Sequence, residues 1–145
     1  MKSMNKMLGT LLGGTVMMGA LALPTTAAAM DPLVTPKVVF QVSEGDPAKW
    51  NLALNNAKNV QKDLKGAKIE IVAYGPGIGM LKADSEVANR VNEAVDSGMK
   101  VVACGNTMKG QKLTKEDMNA KVGYVQAGVV ELMDRQMEGY TYIRP

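Results

Sequence analysis

Three short apolar runs, each followed by a stretch with helical periodicity, constrain the fold of this 145-residue chain most strongly. The runs span residues 37–42, 67–74 and 99–104, and they are rich in β-branched side chains, which is typical of strands buried on both faces. The stretches 46–64 and 85–96 carry apolar residues at intervals of three and four, as amphipathic helices do. Strands that alternate with helices predict a mostly parallel sheet with helices on both faces.

The remainder of the chain continues this alternation. Thr114-Lys-Glu-Asp117 resembles a capping box and predicts a short helix. A fourth strand is expected over 121–125, then a turn over 126–128, a helix that begins at Val129 and is stopped by Gly139, and a last short strand over 140–145. The predicted fold class is therefore α/β, a three-layer α/β/α arrangement with about five strands and about four helices.

The first 29 residues are typical of a secretory signal peptide. Lys2 and Lys6 form a basic start, the run 8–23 carries no charge, and Ala27-Ala-Ala29 matches a small-residue cleavage site. The apolar run is shorter than the roughly twenty residues that a membrane-spanning helix needs, so a retained membrane anchor is the less favoured alternative. We expect a mature protein that begins at Met30, lies in the periplasm and has no membrane association after cleavage.

The charge balance of the mature chain argues against a nucleic-acid partner. Removing Lys2 and Lys6 from the 17 basic residues leaves 15 against 14 acidic ones. The chain has no basic cluster and few aromatic residues to stack on bases. Residues 30–145 are expected to form a single domain, since a chain of this length can bury one core.

Cys104 is the one cysteine of the chain, and it closes the run 99–104. It is therefore predicted to lie at the carboxyl end of a buried strand, the edge at which ligands and reacting groups collect in open α/β sheets. We expect Gly105, Asn106 and Thr107 to form a turn whose N–H groups stabilise an anion and lower the pKa of the thiol. The alternative is that Cys104 is packed as a small apolar side chain.

A glycine-rich segment follows the second predicted strand. It reads Gly75-Pro76-Gly77-Ile78-Gly79. Met80 stands where a dinucleotide-binding fingerprint has glycine, and no Gly-Lys-Ser/Thr phosphate loop is present. The segment is expected to be a loop that approaches another backbone closely or lines a pocket.

The residue inventory leaves few kinds of chemistry. The chain has no histidine, which excludes Ser-His-Asp and Cys-His hydrolases and the usual zinc sites. One cysteine also excludes an intramolecular disulfide and a Cys-x-x-Cys redox centre. Glu116 and Asp117 are adjacent carboxylates, but a role at a helix start suffices for them. We expect no metal or other cofactor, and the remaining chemistry is that of a thiol that forms a mixed disulfide or a persulfide.

Six short segments share their order and spacing with one known family. They are residues 38–44, 55–59, 74–78, 102–107, 127–132 and 138–145. Together they resemble the DsrE/DsrF-like family of sulfur-relay proteins over nearly all of the mature chain. The resemblance implies a three-layer α/β/α fold with a parallel sheet, assembly as a trimer or hexamer, and a cysteine that carries sulfane sulfur. The matching cysteine is Cys104.

Two functional hypotheses follow. In the first, the protein is a periplasmic sulfur carrier or sulfurtransferase that holds a persulfide on Cys104, with residues 75–79 as the wall of the site and a separate sulfur donor or acceptor protein as partner. In the second, it is a non-enzymatic oligomeric binding or scaffold protein with a buried Cys104. A homo-oligomer is expected in either case, with Met108, Tyr124 and Tyr140 as apolar surface near loops.

Overall fold

The computed structural model describes residues 34–145, and the expected signal peptide with its cleavage site lies outside them. The strands of this part are β1 (Lys37–Val42), β2 (Lys68–Ala73), β3 (Lys100–Cys104), β4 (Gly123–Val125) and β5 (Thr141–Ile143). The helices are α1 (Pro47–Asp63), α2 (Ala88–Asp96), α3 (Gly105–Gly110) and α4 (Gly128–Met137), with two 3-10 helices over Gly75–Leu81 and Lys115–Asp117. Within 34–145, no helix is long and apolar enough to span a membrane.

The strands form one parallel sheet in the order β4-β3-β2-β1-β5. Phe40 of β1 lies between Ile71 of β2 and Ile143 of β5. Helices α1 and α2 join neighbouring strands, whereas α4 carries the chain from β4 at one edge to β5 at the other. The predicted α/β class, with five strands and four helices, is confirmed.

The larger core lies between the sheet and helices α1 and α2. Helix α1 begins where predicted, because Asp46 Oδ1 accepts a hydrogen bond from the Ala48 N–H at 2.9 Å and Pro47 occupies the first helical position. Each large side chain that is fully buried here stabilises the fold by about 1.5–3 kcal/mol. The members of this core include Phe40, Leu54, Ile71, Val91 and Val101.

The second face of the sheet has a smaller core. Val39, Val72 and Val102 pack against Leu132 of α4. In the described part of the chain, α4 is the helix that contacts this cluster, while α1 and α2 pack on the opposite face. The result is a three-layer arrangement in which one layer is a single ten-residue helix.

The expected turn at residues 105–107 is wrong, because α3 begins directly after β3. Cys104 keeps an extended backbone and is the N-cap of this helix. The Asn106 N–H donates to the Gln126 carbonyl at 3.1 Å, and the Thr107 hydroxyl accepts from the Gly75 N–H at 2.9 Å. These long-range contacts stabilise a helical first turn where glycine and asparagine by themselves favour a turn.

Other local expectations also change. The glycine-rich segment is a 3-10 helix and not an open loop, because the Gly77 N–H bonds the Tyr74 and Ser43 carbonyls at 3.1 Å. Helix α2 begins at Ala88, preceded by turn hydrogen bonds, and not at residue 85. Met108, expected at the surface, is buried in the larger core. The capping box at residues 114–117 is confirmed, although the helix that follows is a single 3-10 turn.

Candidate functional site

Cys104 lies at the carboxyl end of β3, as predicted. Its strand neighbour is Val125 of β4, and on the other side the pairing of Ala103 with Ala73 brings Tyr74 beside it. Side chains alternate along a strand, so Cys104 is on the same face as Val102, which is the face that α4 covers. The thiol is recessed, with 5% of the residue exposed.

Hydrogen-bond donors surround the sulfur. Burial raises the pKa of the Cys104 thiol, but the Thr107 hydroxyl and the N–H groups of Gly128, Thr107 and Asn106 outweigh this effect and lower the pKa below its ordinary value. A thiolate is a much better nucleophile than a thiol. The arrangement therefore favours the reactive form of the side chain.

Of the three residues expected to donate to the anion, Asn106 and Thr107 contribute N–H groups that lower the pKa of the thiol. A Cβ atom on the third, Gly105, would lie 3.2 Å from the Val125 carbonyl oxygen. Gly105 thus allows α3 to pack closely against the end of β4.

Gly128 is a donor that sequence reasoning did not find. It is buried at the first position of α4, 24 positions after Cys104 in the chain. It reaches the thiol because β4 pairs with β3 and the chain turns after Val125. The sequence placed Gly128 in the turn before the predicted helix, and its position next to the thiol follows only once β4 is known to pair with β3.

The glycine-rich segment adjoins the site at one end. The Gly75 N–H donates to Thr107 Oγ1, and the Gln111 side chain donates to the Gly75 carbonyl at 3.2 Å. A Cβ atom on Gly77 would lie 2.3 Å from the Val42 carbonyl oxygen, which confirms the expected close approach to another backbone. Gly77 and Ile78 are buried, so most of this segment packs inward.

Two further contacts of the segment are structural. A Cβ atom on Gly79 would lie 3.0 Å from the Trp50 ring, and Pro76 Cβ lies 3.3 Å from the corresponding position on Gly45. These contacts hold the 3-10 helix against the start of α1. Within residues 75–79, Gly75 is thus the residue that contacts Thr107, a donor to the Cys104 thiol.

A second polar group of side chains lies near Tyr74. Burial raises the pKa of the Tyr74 phenol, and Tyr142, Glu44 and the Cys104 thiol add to this, against the opposing charge of Arg144. Arg144 Nε donates to Glu44 Oε1 at 3.0 Å. Tyr74 therefore lies between the thiol and the ion pair that joins the chain's last residues to the end of β1.

A charge cluster joins α4 to the start of β3, the end of that strand opposite to Cys104. Glu70 of β2 is 1% exposed. Lys100 Nζ lies 3.0 Å from Glu70 Oε1 and 2.9 Å from Glu131 Oε1, and Arg135 Nε lies 3.4 Å from Glu131 Oε1. Burial and the neighbouring Glu131 carboxyl raise the pKa of Glu70 to about 7, although Lys100 acts against them.

The site can perform thiol chemistry. Within residues 34–145, no three carboxylate, cysteine or histidine side chains cluster in a way that could hold a metal ion. The sequence and geometry define an α/β protein that carries one recessed thiol among helix-terminal donors, at the edge of a parallel sheet.

The comparisons with known proteins name the family. A profile of the DsrE/DsrF-like family matches residues 36–145, and the chain belongs to this family. No curated protein matches the chain.

Solved structures agree with this assignment. MTH1491 from Methanobacterium thermoautotrophicum, described as a protein of unknown function, is 36% identical, with a TM-score of 0.74 over 76% of this chain and 99% of its own. BT1422 from Bacteroides thetaiotaomicron, a conserved protein of unknown function, is 16% identical, with a TM-score of 0.63 over 75% of this chain and 94% of its own. The second likeness supports the fold alone.

Proposed function

We propose that this protein carries sulfane sulfur as a persulfide on Cys104. The observation that supports the proposal is the set of donors around the thiol, which lower its pKa although the side chain is recessed. A thiolate with a lowered pKa, held among oriented donors, is the form that attacks sulfur. Membership of the DsrE/DsrF-like family is consistent with this role.

The chemistry balances without an external oxidant. The Cys104 thiolate attacks the sulfane sulfur of a polysulfide or persulfide donor, the donor's S–S bond breaks, and the remainder of the donor leaves as a thiolate or hydropolysulfide anion. The protein-bound product is a Cys104 persulfide anion, which the same donors stabilise. An acceptor thiolate then attacks the outer sulfur and releases the Cys104 thiolate.

The compartment of this activity is proposed to be the periplasm. The basic start, apolar run and Ala27-Ala-Ala29 site of the sequence support export and cleavage. Sequencing the amino terminus of periplasmic protein should give Met30 as the first residue. If periplasmic protein still begins at Met1, export with cleavage is contradicted and a retained membrane anchor is favoured instead.

The protein is also proposed to form a homo-oligomer through the outer surface of α4. This surface consists of Val129, Val130, Met133 and Met137, which are 51–77% exposed. Tyr142 lies on the same face of the sheet, since it pairs with Val39. A row of exposed apolar side chains on the single helix of one layer favours burial against another chain.

Mass spectrometry of the intact protein tests the persulfide. Incubation with polysulfide should add about 32 Da per sulfur atom, and a reductant should remove the adduct, because persulfidation is reversible. Cys104→Ser should abolish the adduct with the fold unchanged. Thr107→Ser, which keeps the hydroxyl beside the sulfur, is the matched control and should retain it.

The second candidate function is a binding or scaffold role with a packed cysteine, and the 5% exposure of Cys104 favours it. A small alkylating reagent separates the two. Modification of the native protein supports the carrier. If the thiol ignores polysulfide and alkylating reagent until denaturant is added, the carrier proposal fails and the scaffold role stands.

A further inference from the structure

Gly128 is buried at the position where three elements meet. It begins α4 and packs against the first side-chain atoms of Tyr74, three residues after Val125, the strand neighbour of Cys104, and its N–H lowers the pKa of the Cys104 thiol. Its backbone is not left-handed, unlike that of Gly66, Gly98 and Gly139. The reason for a glycine here is therefore space and not backbone conformation.

The available space is limited by Tyr74. A Cβ atom on Gly128 would lie 3.1 Å from both Cβ and Cδ1 of Tyr74 and 3.3 Å from its Cγ. Carbon atoms at rest are about 3.5–4.0 Å apart. Tyr74 Cβ cannot rotate away, because it is attached to backbone held by the Tyr74 N–H bond to the Val42 carbonyl at 3.1 Å.

The helix is held as firmly as the tyrosine. Leu132, one turn after Gly128, is 5% exposed in the smaller core. Glu131 contacts Lys100 at 2.9 Å. Since these anchors lie three and four residues after Gly128, a side chain at position 128 would displace the first residues of α4, including the Gly128 N–H.

We propose that Gly128 is a positioning residue for the Cys104 thiolate, because its missing side chain lets the first turn of α4 pack on Tyr74 with its N–H directed at the sulfur. This inference rests on the proposed function, in which the thiolate is the reactive group. Tyr74 is the second member of the pair, since its side chain sets how closely the first turn of α4 can pack against the end of β2.

The test is a double-mutant cycle read as the pKa of the thiol. Ultraviolet absorbance of the thiolate, corrected with Cys104→Ser, measures that pKa without a reagent that must enter the site. Gly128→Ala should raise the pKa by about half a unit, about three-fold less thiolate below the pKa, which is the size of a helix-terminal donor's effect. Gly110→Ala, where a Cβ atom would meet nothing within 4 Å, is the matched control and should leave the pKa unchanged.

The second half of the cycle introduces Gly128→Ala into the Tyr74→Gly variant, which lacks the Tyr74 Cβ, Cγ and Cδ1 atoms that crowd position 128. There Gly128→Ala should shift the pKa by less than half as much as in the parent. An equal shift in both backgrounds, or no shift in either, would overturn the proposal.

Nuclear magnetic resonance of the unaltered chain gives an independent measurement that does not depend on whether the variants fold. The Gly128 amide proton should change its chemical shift at the pKa of the thiol, and Cys104→Ser should remove that transition. A Gly128 amide that is insensitive to thiol ionisation would refute the positioning role. These readouts are separate from the polysulfide adduct, so a missing adduct with an intact pKa coupling would refute the carrier function alone.

Discussion

The Thr107 hydroxyl accepts a hydrogen bond from the Gly75 N–H at 2.9 Å and lowers the pKa of the Cys104 thiol. A hydroxyl that accepts from one side keeps its own proton for a partner on the other side, which here is the sulfur. The glycine-rich segment thus acts on the thiol through Thr107.

Thr107→Val tests this relationship, since valine has the same shape without the hydroxyl. We expect the pKa of Cys104 to rise by about one unit, in line with the loss of a hydrogen bond to a charged group. Persulfide formation at a pH below the thiol pKa should slow by about ten-fold. Thr107→Ser keeps the hydroxyl and should behave as the parent; a pKa that is unchanged in Thr107→Val would contradict the assigned bond.

Glu70 should make the stability of the fold depend on pH. Its pKa is about 7 in the folded protein and about 4.3 in an unfolded chain. Between these values the folded state holds a proton that the unfolded state has released, so the free energy of unfolding falls as pH rises. We expect the parent to lose about 1–3 kcal/mol more than Glu70→Gln between pH 5 and pH 8, measured by urea denaturation.

The control for that measurement is an exposed carboxylate. Glu86→Gln changes the same chemical group at the surface and should keep the parent's pH profile. If the free energy of unfolding of Glu70→Gln falls as much as that of the parent between pH 5 and pH 8, another group is responsible for the pH dependence. Glu131 is the coupled neighbour to replace next, because its carboxyl faces Glu70 and Lys100.

Gly77→Ala should strongly destabilise the protein. The added Cβ atom would lie 2.3 Å from the Val42 carbonyl oxygen and 2.9 Å from the Ser43 nitrogen, both of which are backbone atoms. Relief requires separation of the 3-10 helix from the end of β1, and we expect a loss of about 3 kcal/mol or more. Gly110→Ala, which has free space, should cost little; equal stability of the two variants in a thermal melt would disprove the close packing.

Met133→Glu tests the proposed oligomer surface on α4. A charge in the middle of this exposed apolar row should prevent its burial, so light scattering should show a smaller species than for the parent. Leu52→Glu is the matched control, since Leu52 is also an exposed apolar residue, at 40%, but on α1. A parent that is monomeric at micromolar concentration would contradict the oligomer itself.

The elements of this fold could be predicted from local sequence where the cause is local. The apolar β-branched runs before Gly75 and at 99–104 form buried strands, because a strand covered by helices on both faces of the sheet needs apolar side chains on both sides. Asp46-Pro47 began α1, and Gly98 and Gly139 end helices with a left-handed backbone that glycine tolerates. Cys104 was placed correctly because a strand end is a local property.

The site depended on which elements became neighbours. Residues 105–107 carry turn-forming side chains, yet they begin a helix because Gln126 and Gly75 supply partners from distant parts of the chain. Gly128 becomes a donor to Cys104 only when β4 pairs with β3, and no property of its own segment indicates that pairing. The amino-acid order was sufficient for the strands, the start of α1 and the thiol's position. The donors to the thiol and the environment of Glu70 required the tertiary structure, because each depends on contacts between segments far apart in sequence.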